Sequence, residues 1–201
     1  MNIDLLTASS HKIYGPKGAA CLYIREGLKI EPLLHGGGQE RGLRSSTVNV
    51  PAIVGFAKAA EIYQRKRKQE IGRLMRLTDK LVNGILKKTP YTYLNGDWKK
   101  RLANIANCRF LGVEGEAVAT HLDLAGIAVS TGSACSSKSL QPSHVLKACG
   151  LKPEEIHGSI RFSLGRWTSQ EDIDYVLEVL PGIIKNLRKI SPLRRNLETD
   201  V

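Results

Sequence analysis

Ile3-Asp4-Leu5-Leu6-Thr7-Ala8-Ser9-Ser10-His11-Lys12-Ile13-Tyr14-Gly15-Pro16-Lys17-Gly18-Ala19-Ala20-Cys21-Leu22-Tyr23-Ile24 sets two short apolar runs on either side of a polar turn. Ile3–Ala8 reads as one strand and Ala19–Ile24 as a second, because each is short, apolar and bounded by turn residues. Gly15-Pro16 reverses the chain, so the two strands form a hairpin-like pair around Lys12. A lysine on such a turn, just after an apolar strand, is well placed for imine chemistry, the commonest covalent use of lysine in catalysis.

Beyond the pair lies a glycine-rich loop, Leu33-Leu34-His35-Gly36-Gly37-Gly38-Gln39-Glu40-Arg41-Gly42, leading through Arg44-Ser45-Ser46-Thr47 to a helix that begins around Pro51. Ile53, Phe56, Ala57 and Ala60, then Ile71, Leu74, Leu77, Leu81 and Ile85, keep helical spacing, which predicts helix in pieces to about Lys88. After Thr89-Pro90 the texture changes. A strand is expected at Ile105–Phe110, a helix at Glu114–Ala125, an extended stretch at Ala128-Val129-Ser130, a helix at Ser143–Ala148 and a strand at Ser159–Ser163. Thr168, followed three residues later by Glu171, reads as the capping box of the closing helix. The whole reads as an α/β chain.

With 201 residues the chain is one or at most two domains. No apolar run approaches the roughly 20 residues of a membrane span, and no basic-then-apolar leader is visible, so a cytoplasmic protein is expected. The net charge of +11 raises a nucleic-acid surface as one reading. The basic run Arg65-Lys66-Arg67-Lys68 sits in a helical pattern and aromatics are sparse, so a solvated helix face is preferred and nucleic acid is not expected as a partner.

The four cysteines, Cys21, Cys108, Cys135 and Cys149, form no Cys-x-x-Cys pair, which argues against a zinc site or a dithiol motif. Cys21, Cys108 and Cys149 read as buried, inert thiols. Cys135 differs. In Ser130-Thr131-Gly132-Ser133-Ala134-Cys135-Ser136-Ser137 it is surrounded by small polar residues that suit an exposed, mobile nucleophile.

Four motifs then occur in order: Ser9–Gly18; Gly36-Gly37-Gly38-Gln39-Glu40-Arg41-Gly42-Leu43-Arg44-Ser45-Ser46-Thr47; Gly132-Ser133-Ala134-Cys135-Ser136-Ser137; and Ser159-Ile160-Arg161-Phe162-Ser163-Leu164-Gly165-Arg166. In these, essentially the whole chain resembles the C-terminal half of a cysteine desulfurase of the NifS/IscS type, in the class-V aminotransferase family. The resemblance implies a partial pyridoxal-phosphate-dependent transferase fold of type I. Residues 1–68 would be a remnant of the cofactor-binding large domain and 69–201 the small domain.

The resemblance also implies roles. Lys12 would carry pyridoxal 5'-phosphate and move protons at the substrate, while Ser9 and His11 hydrogen-bond the cofactor phosphate. Thr47 would reach the phosphate in a neighbouring subunit, which implies a homodimer. Arg161 would hold the α-carboxylate of L-cysteine, a task for which a guanidinium fork is suited and an ammonium is not. Cys135 would accept the sulfur as a persulfide, leaving L-alanine, and pass it to an iron–sulfur scaffold or another sulfur acceptor. From the residues alone, turn capping for Ser9, a structural role for His11 and helix capping for Thr47 stay open.

Ser10 and Ser46 stand where the family has glycine, and Ser46 would strain a turn that prefers positive φ. The resemblance further implies an absent front half that supplies a histidine stacked on the pyridine ring, an aspartate paired with its nitrogen, and further phosphate donors. Activity is then expected only with a complementing N-terminal fragment. The rival readings are a truncated module that binds a scaffold without turnover and, second, a basic nucleic-acid-binding protein.

Overall fold

The computed structural model describes residues 2–131 and 143–193. The chain divides into two compact units, residues 1–68 and 69–201.

In the first unit β1 (Leu5–Ser9) pairs antiparallel with β2 (Ala20–Ile24), Leu5 opposite Ile24 and Ser9 opposite Ala20. Both ends of the ribbon are pinned. Arg25 forms a salt bridge with Asp4 at 3.0 Å and donates to the Ile3 carbonyl at one end. At the other, the Ser10 N–H donates to the Ala19 carbonyl at 3.0 Å. Leu5, Leu6, Leu22 and Tyr23 are all exposed. Neighbours on a strand point to opposite faces, so both faces of this ribbon are apolar, the pattern of a strand covered on two sides.

Helix α1 runs from Val50 to Lys88. Gly72 does not interrupt it, so the expected pieces are one helix; a single interior glycine costs about 1 kcal/mol, too little to end a helix with so long an apolar stripe. Asn49 caps its start, its side-chain oxygen accepting from the Ala52 N–H at 3.2 Å. Within the first unit the turn after β1 packs closely on this helix. A Cβ on Gly55 would stand 2.8 Å from the Pro16 ring, which is why no larger residue fits there.

The second unit contains an antiparallel sheet in the order β3 (Thr92–Leu94), β4 (Ile105–Phe110), β5 (Ser159–Ser163). In β4, Ala106, Cys108 and Phe110 alternate inward. They meet Ile160 and Phe162 of β5, Leu81 and Ile85 of α1, and Val118 and Leu122 of α2 (Gly115–Leu124). Closing this core is α5 (Gln170–Ile190), through Ile173, Leu177, Leu180 and Ile184. Two short helices, α3 (His144–Ala148) and α4 (Pro153–His157), precede β5.

The cap of α5 falls one residue later than the sequence suggests. Ser169 is the N-cap, accepting from the Asp172 N–H, while the Asp172 carboxylate accepts from the Ser169 N–H. Thr168 is already used: its hydroxyl accepts from the Gly165 N–H at 2.9 Å and closes the turn out of β5. That turn is also gripped by Arg73, which donates to the carbonyls of Gly165, Arg166 and Thr168. No helix among the described residues is long and apolar enough to cross a membrane.

Candidate functional site

Lys12 lies in a short 3-10 helix, Ser10–Ile13, that leaves the end of β1 directly. Tyr14 ends this helix in the left-handed conformation at φ 66°, and the Gly15 N–H returns to the Ser10 carbonyl at 3.0 Å. The turn is therefore hydrogen-bonded on both sides of the lysine. Ser10 forms its buried floor: it is fully buried, and its Oγ lies where a Cβ on Gly15 would stand only 2.2 Å away. A larger residue at either place would lift the turn.

What the turn presents outward is uncommitted. Among the described residues no hydrogen bond or ion pair engages the side chains of Ser9, His11 or Lys12, and His11 and Lys12 are exposed. Ser9 occupies the N-cap position without a side-chain capping bond, so the turn-capping role is not taken. Thr47 is likewise not the cap of α1, because Asn49 fills that position. A hydroxyl, an imidazole and an amine on one tight turn are a suitable donor set for a phosphate dianion beside a carbonyl carbon, and the chemistry of these residues fits pyridoxal phosphate.

The approach to Thr47 is held by side chains the sequence did not single out. Gln39 accepts from the Ser46 N–H at 3.1 Å across the glycine-rich loop. Ser46 adopts φ 120°, the strained left-handed backbone expected where the family has glycine.

In the second unit Arg161 sits at the centre of β5, opposite Asn107 of β4. On its other side it exchanges backbone hydrogen bonds with Ser130, Arg161 N–H to Ser130 O at 2.6 Å and Ser130 N–H to Arg161 O at 3.2 Å. Ser130, five residues before Cys135 in the sequence, thus lies at the edge of the sheet beside Arg161. Its guanidinium Nε is buried, and no acid pairs with the side chain among the described residues. An unpaired, partly buried guanidinium is a ready receptor for a carboxylate. Cys135 itself, with the Gly132–Ser137 motif, lies outside the described residues.

The other cysteines divide differently from expectation. Cys108 is buried, and burial pushes its thiol up from 9.0 to about 12, which leaves it inert. Cys21 and Cys149 are exposed rather than buried. For Cys21 the reason is the bare ribbon that carries it; Cys149 follows the short helix α3 at the surface. His121 and His144 are exposed helix residues, as expected, with His121 Nδ1 at 2.8 Å from the Ala117 carbonyl. The described residues contain no cluster of His, Cys, Asp and Glu able to hold a metal ion.

The profile of the aminotransferase class-V family matches residues 1–176, and the chain belongs to that family. Its relatives include cysteine desulfurase IscS 1 of Archaeoglobus fulgidus, 57% identical over 192 residues that make up 96% of this chain and 50% of the relative. Cysteine desulfurase IscS of Methanosarcina thermophila is 53% identical, over 96% of this chain and 48% of its own length. Among solved structures, a NifS-like protein superposes with a TM-score of 0.82 at 36% identity, over 92% of this chain and 47% of that one. A NifS-like protein from Rickettsia africae gives 0.81 at 32% identity, over 91% and 48%. The chain thus spans about half the length of the curated relatives it matches, and its α/β fold is a partial form of theirs.

Proposed function

We propose that this chain carries the lysine, the carboxylate receptor and the sulfur-accepting thiol of a cysteine desulfurase, which converts L-cysteine to L-alanine. The observation that carries the reading is the Ser9–Lys12 turn, an exposed amine flanked by an uncommitted hydroxyl and imidazole, in a chain whose relatives are named cysteine desulfurases.

Pyridoxal phosphate, when bound, supplies an electron sink that weakens bonds around the substrate α-carbon. Ser9 and His11 would hold its phosphate, Lys12 would attach it, and Thr47 would serve the site of a second protomer in a homodimer. Arg161 receives the substrate carboxylate in a bidentate grip. The Lys12 amine would move protons to and from the substrate α-carbon as base and acid. The Cys135 thiolate attacks the substrate sulfur. The carbon–sulfur bond breaks, the sulfur bonds to Cys135 Sγ as a persulfide, and the carbon skeleton takes up a proton and leaves as alanine. An iron–sulfur scaffold or another acceptor thiol then takes the sulfur. A reducing, cytoplasmic setting suits this thiol chemistry.

The two apolar faces of the β1–β2 ribbon favour one further element of the proposal, a polypeptide that completes the sheet and its covering layers. The test is a cysteine-to-alanine assay with pyridoxal phosphate, run with and without a polypeptide equivalent to the other half of the relatives. Alanine is expected in the complemented mixture and not with Lys12→Ala or Cys135→Ser. No alanine, under conditions where a full-length relative produces it, overturns the proposal.

A further inference from the structure

Asn107 stands beside Arg161 on the face of the sheet turned away from the core. Ala106 and Cys108 of β4 and Ile160 and Phe162 of β5 are buried in that core, so the residues between them, Asn107 and Arg161, share the opposite face. The bonds from the Phe110 N–H to the Gly158 carbonyl at 2.9 Å and from the Leu164 N–H to the Asn104 carbonyl at 2.8 Å mark which pairs of the two strands exchange hydrogen bonds. Such pairs alternate along an antiparallel ladder, which makes Asn107–Arg161 a non-hydrogen-bonded pair. Opposed residues come closest in pairs of this kind, about 4.5 Å between Cα atoms.

The orientation of the Asn107 amide follows from its neighbours. A guanidinium can only donate, so Arg109, which reaches Asn95 at 2.9 Å, fixes the accepting atom as Asn95 Oδ1. Asn95 Nδ2 then donates to Asn107 Oδ1 at 2.7 Å and to Ser159 Oγ at 3.0 Å. The Asn107 oxygen is therefore engaged. Its Nδ2, with two N–H donors, is the other arm of the amide and has no hydrogen-bond partner among the described residues.

The two guanidiniums on this face differ in charge balance. Arg109 is compensated by Glu155, Nε to Oε1 at 3.3 Å, and lies over the Tyr93 ring. Arg161 pairs with no acid, and its buried Nε–H has no acceptor among the described residues. The Asn107–Arg161 pair thus offers two sets of donors side by side without an acceptor. A carboxylate, with two oxygens and about four lone-pair sites, can take both.

We propose that Asn107 is a substrate-binding residue, donating from Nδ2 to the same α-carboxylate that Arg161 holds. This rests on the reading of Arg161 as the carboxylate receptor. Asn95 is a positioning residue, which occupies Asn107 Oδ1 and so keeps the amide turned with its donors free for the ligand.

Heteronuclear NMR of the full chain tests it, with titration by L-alanine and by ethylamine, which lacks the carboxylate. The side-chain amide of Asn107 and the Nε–H of Arg161 are expected to shift together with L-alanine, at one dissociation constant, and not with ethylamine. Asn107→Asp keeps an oxygen for Asn95 but replaces the donors with an acceptor that engages Arg161, so it should weaken L-alanine binding read at Arg161 about tenfold or more. Asn107→Ala should weaken it about fivefold. In the complemented enzyme Asn107→Asp should raise the KM for cysteine by a similar factor, with kcat within about twofold. A response at Arg161 with none at Asn107, or an unchanged affinity in Asn107→Asp, overturns this proposal and leaves the Arg161 reading standing. No response at either residue overturns both. Responses at both residues in a chain that yields no alanine when complemented support this proposal and overturn the desulfurase reading alone.

Discussion

Gly158→Ala is the sharpest test of how the second unit places Arg161. Gly158 joins α4 to β5 at an ordinary φ of −87°, so its need for glycine is steric and not conformational. An added Cβ would stand 2.3 Å from the Phe110 carbonyl oxygen and 3.1 Å from that of Val113. Both obstacles are backbone, and a tight but tolerable contact of 3.4 Å requires the end of β4 to retreat by about 1 Å. That movement stretches the bond from the Phe110 N–H to the Gly158 carbonyl, now 2.9 Å. Overpacking of this kind costs about 1–3 kcal/mol and the lost bond about 1 more, so a loss near 3 kcal/mol is expected in urea unfolding. Gly72→Ala is the control. Its Cβ would meet nothing nearer than the tip of Arg76 at 3.9 Å, and the helix interior should gain up to about 1 kcal/mol. A loss below about 1 kcal/mol for Gly158→Ala would refute the steric argument.

Arg73→Met should cost about 2–4 kcal/mol, since it leaves three carbonyls of the β5–α5 turn without their charged donor; a change under 0.5 kcal/mol in urea unfolding would contradict this. In the native state, iodoacetamide should label Cys21 and Cys149 rapidly and Cys108 only on unfolding, as peptide mass mapping can read. Because the folded Cys108 thiol holds its proton to about 12 and the unfolded one releases it near 9.0, the folded state binds more protons between those values. Stability should therefore fall as pH rises through that window, and Cys108→Ala should flatten the slope. Arg161→Lys should leave stability within about 0.5 kcal/mol, because the guanidinium pairs with no acid in the described structure, yet raise the KM for cysteine about tenfold in the complemented enzyme.

Much of the local structure is legible in the sequence. The strands around Lys12 announce themselves through the Gly15-Pro16 turn, and β4 and β5 through their alternation and bounds. The misses have physical causes. Thr92–Leu94 is a three-residue strand whose existence depends on β4 beside it, and Pro153–His157 is a single helical turn, too short for periodicity. Adjacent Thr168 and Ser169 both offer a capping hydroxyl, and only the turn to Gly165 decides between them. Cys21 sits in an apolar run that a covered sheet would bury, but periodicity does not say what covers a face. At the proposed site, Ser9, His11, Lys12 and Arg161 are the residues to which the motifs point. The supporting roles of Ser10, Gln39 and the Ser130 bridge are not legible in the sequence, because these residues act on a turn, a loop and a strand edge that only the fold brings together.

The central claim is that Lys12, among many exposed lysines, is the residue that takes pyridoxal phosphate. Borohydride reduction of the chain mixed with the cofactor and the complementing polypeptide, followed by peptide mass mapping, tests it most directly. The account predicts a pyridoxyl label concentrated on Lys12 and absent from that peptide in Lys12→Ala. A label spread over surface lysines, with Lys12 no more modified than the rest, would contradict it.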